Sequence, residues 1–172
     1  MNTLPFIVPE NESNVRLARL LILIQSLGVS KKGKLLLNIE KLSIYDYLVR
    51  NPVLLQRLLE TEDQGKLMDL QEKEIDSIES LFPNRASLYD YSTIRKITYT
   101  LIYNEYISVE HNKEGHIFYF ATESGIEFVE QLESIYFNRI KELSKVLIPL
   151  QKFSASQLLK TLKTINYGVV YK

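Results

Sequence analysis

The chain carries two histidines, His111 and His116, and both flank one short polar segment, His111-Asn-Lys-Glu-Gly-His116. A pair of imidazoles can hold a metal ion, but a stable site needs further donors. Cysteine is absent and only Glu110 and Glu114 lie close in sequence, so no metal is expected there. Carboxylates recur at short spacing in Glu60/Glu62/Asp63 and in Glu72/Glu74/Asp76. Each group falls in a polar loop or on the outer face of a helix, where nothing shapes an acid–base pair. The six glycines are scattered, without a lysine-bearing phosphate loop or a nucleophile elbow. These patterns lead to an expectation of no enzyme activity, no catalytic residue and no cofactor.

Cations and aromatic rings offer a second kind of chemistry. Arg95, Lys96, Tyr99 and Tyr103 fall within one segment, and Lys113 and His116 follow shortly after. Ile94, Ile97, Leu101 and Ile102 recur there at helical spacing, so residues 92–103 read as an amphipathic helix, capped by Asp90 or Ser92. Tyr106–Glu110 and Ile117–Thr122 are rich in β-formers, and Asn112 and Gly115 stand in the turn between them, which predicts a hairpin. A further helix opens after Thr122 or Ser124, with Ile126, Phe128, Val129 and Leu132 apolar. Helix, hairpin and helix in this order form the second half of a winged helix-turn-helix. In that geometry helix and wing address a duplex together, which makes Arg95, Lys96, Tyr99, Tyr103, Lys113 and His116 the nucleic-acid candidates. Two helix cations, with Lys113 beside Glu114, make a thin footprint in a chain of 21 basic and 21 acidic residues. The expectation is weak contact with a DNA backbone, non-selective and with a small salt slope. Eleven tyrosines and seven phenylalanines exceed the needs of one core, so some are expected to dock a partner.

The remaining elements must position that unit. With 172 residues the chain reads as one domain: a helical part over 1–82, the winged-helix part over 83–135 and a helical extension over 136–172. Its fold class is mainly α with a small β-hairpin. A helix runs from Ser13 or Asn14 to Leu27, and its Leu20-Leu-Ile-Leu-Ile24 run is apolar on every side, which means deep burial. Lys31-Lys-Gly-Lys34 reads as a short basic turn, a solvated loop in preference to a phosphate contact, and Leu35–Leu37 as a brief strand. A helix over Ile39–Arg50 stops at Asn51-Pro52, where a short second helix begins. Leu67–Leu81 has helical periodicity, and the helix after Ser124 is expected to continue to Ile148, before Pro149. Ser154 or Ser156 caps a last helix over Gln157–Ile165. Phe6, Ile7 and Val8, and Val169, Val170 and Tyr171, are apolar arms outside these helices and are the partner-docking candidates. No leader segment and no run near the ~18 apolar residues of a membrane span are visible, so the chain reads as cytoplasmic.

The stretch Leu35-Leu-Leu-Asn-Ile-Glu-Lys-Leu-Ser-Ile-Tyr-Asp-Tyr-Leu-Val-Arg-Asn-Pro52 follows an apolar first helix, and Thr122-Glu-Ser-Gly125 opens a later one. In these features and their order the chain resembles the small middle component of three-component ABC-ATPase conflict systems. That group includes Lamassu-type anti-phage defence. The resemblance implies a winged-helix, non-catalytic accessory subunit that sits between an SMC-like ABC ATPase subunit and a nuclease-type effector subunit, away from any membrane. It carries over no active-site residue. A free-standing winged-helix transcription regulator is the competing reading, and it requires a more basic recognition helix than this one.

Overall fold

Five consecutive apolar side chains, Leu20 to Ile24, are wholly excluded from solvent at the centre of the molecule. The computed structural model describes residues 13–64, 68–75 and 83–167. Their helix, α1 (Ser13–Leu27), touches α2 (Ile39–Arg50) on one side. On others it meets the hairpin β1 (Ile107–His111) and β2 (Ile117–Ala121) through β2, then α6 (Glu123–Glu130) and α7 (Ile135–Val146). Between α2 and the hairpin lie α3 (Pro52–Thr61), the short α4 (Glu72–Ile75), a 3₁₀ turn (Arg85–Tyr89) and α5 (Tyr91–Tyr103). A second 3₁₀ turn (Ile148–Lys152) leads into α8 (Ala155–Tyr167). The described residues are thus mainly α with one antiparallel hairpin, an arrangement consistent with a winged-helix-like core.

Local chemistry explains most boundaries. The Asn38 side chain accepts from Lys41 N at 2.9 Å and starts α2. Pro52 ends that run and sits in the first turn of α3, where its missing N–H costs nothing. Asp90 caps α5 by accepting from Thr93 N, and Thr122 caps α6 by accepting from Gly125 N. The Thr-x-x-Gly start of α6 has a steric reason as well. A Cβ on Gly125 would stand 2.0 Å from the Tyr106 carbonyl oxygen, so only glycine lets α6 seat against the start of the hairpin. Gly115, at φ +83°, closes the hairpin loop in a conformation that favours glycine. Asn112 braces the same loop by accepting from Glu114 N at 3.0 Å and His116 N at 2.8 Å.

Four expectations need correction. The helix expected over Leu67–Leu81 does not begin at its N-terminal end: Met68–Gln71 are non-helical and α4 starts at Glu72, while Leu67 and 76–82 lie outside the described residues. Met68 N is drawn to the Gln56 side chain at 2.9 Å, and Arg139 donates to the Asp69 carbonyl and, in a fork, to Glu74 at 2.8 Å. Those tertiary bonds hold the non-helical segment against α3 and α7. The helix expected to run unbroken from Ser124 to Ile148 is interrupted at residues 131–134, because Ser134 accepts from Phe137 N and opens α7 afresh. The break lets Val129 of α6 and Ile140 and Leu143 of α7 all reach the core. Leu35–Leu37 forms no full strand but contributes an isolated bridge, Val29 with Leu35, and a bond from Tyr119 N to the Leu37 carbonyl at 2.9 Å. The buried stripe of α5 is Ile94, Thr98 and Leu101, with Ile97 and Ile102 at its margin. Threonine can occupy its centre because its hydroxyl donates to the Arg95 carbonyl at 2.9 Å and is hydrogen-bonded to Tyr119.

One ion network fixes α5 relative to α1 and α2. Asp46, fully buried, receives Arg19 Nε at 2.6 Å, with Arg50 at 3.4 Å and Arg16 at 3.6 Å. Arg16 also reaches Asp90, the α5 cap, at 3.1 Å, and Arg19 donates to the Tyr136 hydroxyl at 2.9 Å. Burial alone would push the Asp46 carboxyl up. The Arg19, Arg50 and Arg16 guanidiniums override that and hold it below the ordinary carboxylate range.

Candidate binding face at the helix and hairpin

Helix α5 turns Arg95, Lys96, Tyr99 and Tyr103 outward, and the two tyrosines are 62% and 87% exposed. Such exposure of large rings is unusual for core-forming residues and typical of contact surfaces. Lys113 is exposed in the hairpin loop, and His116 lies 3.5 Å from Glu114 there. Across the hairpin, His111 stands opposite Ile117, so the two imidazoles do not form a cross-strand pair. Among the described residues no group of three or more His, Asp or Glu side chains could hold a metal ion.

Of these residues the structure brings Arg95 and His116 together. They line a cleft of about 630 Å³, whose other walls are residues 34–41, β2 and Ser154–Ser156 at the start of α8. A second cleft of about 530 Å³ adjoins it, sharing Lys34, Leu36, Lys41 and Ser154 and adding Lys152. Lys96, Tyr99, Tyr103 and Lys113 are outside both. The arm residues Phe6, Ile7, Val8, Val169, Val170 and Tyr171 lie outside the described residues.

Sequence reasoning passed over three members of this face. Lys34 belongs to the basic turn read as a solvated loop in preference to a phosphate contact, and that run of lysines is the available signal. Lys41 reads as one position of an amphipathic helix, yet its side chain is buried and its ammonium donates to the Gln151 carbonyl at 2.8 Å. Burial, and then the nearby charge of Lys34, lower its pKa. Ser154–Ser156 arrive from more than a hundred residues away, positioned by Gln151, which also donates to the Leu27 carbonyl at 2.9 Å. No spacing in the chain announces that meeting.

The free edge of the hairpin belongs to the same place. Bonds from Asn112 N to the His116 carbonyl and from Thr122 N to the Tyr106 carbonyl show that even-numbered residues of β2 turn their main-chain groups toward β1. Ile117 and Tyr119 therefore turn theirs to the opposite edge. Leu37 takes the Tyr119 N–H, whereas the Ile117 N–H and carbonyl have no main-chain partner among the described residues. Ile117 is 41% exposed and lines the cleft.

Comparison with known proteins adds one match. The family model described as ABC-three component (ABC-3C) system Middle Component 4 matches residues 27–160, which span α2 to the middle of α8 and include the whole helix–hairpin–helix unit. No curated protein and no solved structure matches the chain. Among the described residues no helix is long and apolar enough to cross a membrane.

Proposed function

From the premise that this chain belongs to the Middle Component 4 family of ABC-three component systems, we propose that it is a non-catalytic accessory subunit with a winged-helix core. It bridges an SMC-like ABC ATPase subunit and a nuclease-type effector subunit in a cytoplasmic complex of the Lamassu anti-phage type. The observation that carries this reading is the exposed face of α5. Tyr99 and Tyr103 dominate it, with Arg95 and Lys96 beside them, in a chain whose charges balance. A recognition helix that reads a duplex alone needs a denser cationic surround, because phosphate contacts supply most of its affinity. Tyrosine and arginine at this density suit a protein interface, where they are the residues that hold partners most strongly. Any contact with DNA is then weak, made by Lys96 or Lys113 to the backbone inside the assembled complex.

Co-expression with the ATPase and the third component of its own system tests the reading. All three chains should elute together on size exclusion, and omitting this one should separate the other two. Tyr99→Ala with Tyr103→Ala should weaken the assembly while the isolated chain keeps its melting temperature. Assembly of the other two without this chain, or tight sequence-selective duplex binding by the isolated chain at physiological salt, would replace the bridge with a transcription regulator.

A further inference from the structure

We propose that the cleft between residues 34–41, the outer edge of β2 and the start of α8 receives an extended acidic segment of a partner protein, which adds a strand to β2 at Ile117. This rests on the reading that the chain works by docking other polypeptides, and it places one docking site and its chemistry. Strand addition requires an unused rung, and the outward N–H and carbonyl of Ile117 provide one at the point where Leu37 leaves the edge.

Charge decides what the segment carries. Lys34, Lys41 and Arg95 line the cleft and Lys152 lines its neighbour, against one carboxylate, Glu40. The chain as a whole has no net charge, so this concentration of cations is local. Among the described residues neither Lys34 nor Arg95 has a carboxylate within ion-pair distance, and Lys41 feels Lys34 as a repelling neighbour. Anionic side chains would relieve that repulsion. Leu36, Ile39 and Ile117 supply apolar contact in the same space. An added strand places alternate side chains on opposite faces, so acidic and apolar residues in alternation match the two kinds of wall.

The cleft suits a peptide better than a duplex. Its volume of about 630 Å³ is that of sites that enclose small ligands, and a duplex reaching for Arg95 and His116 would meet Ser154–Ser156 lining the same space.

The test immobilises the full chain and selects from a displayed library of random peptides about 12 residues long. The enriched peptides should be net acidic, with apolar residues at alternate positions. The best of them, synthesised with a fluorophore, should bind the chain carrying Lys34→Glu and Arg95→Glu at least about tenfold more weakly. Methylating its alternate backbone nitrogens should weaken it by a similar factor, about tenfold, because the ladder would lose its donors. Lys163→Glu, exposed on α8 and outside both clefts, should leave its affinity unchanged, and circular dichroism should show every variant folded. Failure to enrich acidic peptides would overturn the assignment. So would affinity that survives the double reversal, or displacement of the peptide by a DNA duplex at lower concentration than by unlabelled peptide. Peptide capture retained while the three-subunit assembly fails to form would defeat the bridging reading alone. Assembly intact with no peptide capture would defeat the cleft alone.

Discussion

Guanidinium and ammonium groups occupy two regions of this molecule under opposite conditions. Beneath α1 and α2, Arg16, Arg19 and Arg50 close around Asp46, and Asp90 takes up part of the surplus charge. Beside the hairpin, Lys34, Lys41 and Arg95 share a cleft with only Glu40. In the first region the carboxylate is inside with the cations, so the charge serves to lock three helices in register. In the second, among the described residues, neither Lys34 nor Arg95 has a carboxylate within ion-pair distance. Arginine is structural where its counter-charge is internal, whereas Lys34 and Arg95, on the exposed side of the cleft, are available for a ligand and Lys41 is held by the Gln151 carbonyl. Charge totals along the sequence cannot separate these cases, since both arise within a chain of zero net charge.

The sharpest way to break the comparison is to remove the internal counter-charge. Asp46→Ala leaves Arg19, 1% exposed, without its carboxylate, and breaking a buried pair in this way costs roughly 3–5 kcal/mol. Urea unfolding should show that loss; a change below about 1 kcal/mol would mean that water reaches the network and that the two regions differ little.

Acid should act on the same region next. The folded-state pKa of Asp46 is depressed, as are those of Glu74, held by Arg139 against the cost of burial, and Asp90, held by Thr93 and Arg16 against the same cost. Each therefore adds stability that is fully present above the unfolded value of about 4 and is lost as pH falls through the folded one. Thermal melts should be flat from neutral pH to about pH 5 and fall steeply below pH 4, and Asp46→Ala should flatten that acid limb. A melt that declines mainly between neutrality and pH 5 would point to groups other than these carboxylates.

The cleft should show the smallest effect. Lys34→Glu with Arg95→Glu exchanges exposed cations that form no ion pair among the described residues, so stability should stay within about 0.5 kcal/mol of the parent or rise slightly. A loss comparable to that of Asp46→Ala would show that these cations belong to the folded core and that the contrast between the regions is false.

The central unit was readable because its signals are local. Asp90, Thr122 and Asn112 act on backbone groups two to four residues away, and the helix and strand periods sort apolar from polar side chains without reference to the rest of the chain. The boundary at Asn51-Pro52 was readable for the same reason, since proline acts on its own φ and on its neighbour. The interruption at 131–134 was not. Gln131-Leu-Glu-Ser134 contains no glycine or proline, and serine makes a competent cap only if the core rewards a change of helix direction. The segment from Met68 to Gln71 belongs to a helical period but is held out of a helix by Gln56 and Arg139, each distant in sequence.

By itself, then, the sequence determined the mainly helical class, the central burial of Leu20–Ile24, the hairpin with Asn112 and Gly115 in its turn, and the sparse cation content of α5. All of these follow from interactions within a few residues or from composition. Only the tertiary structure decided that Thr98 rather than Ile97 lies at the centre of the α5 stripe, because Tyr119 of the hairpin supplies its hydroxyl with a partner. It alone separated Arg19 from Arg95, placing one against a buried carboxylate and the other in an open cleft. It alone set Ser154 beside Lys34 and Ile117, since that meeting depends on Gln151 bridging the end of α1 to the buried ammonium of Lys41. Contacts between residues a hundred positions apart leave no periodicity along the chain, and their energy appears only when the helices have packed.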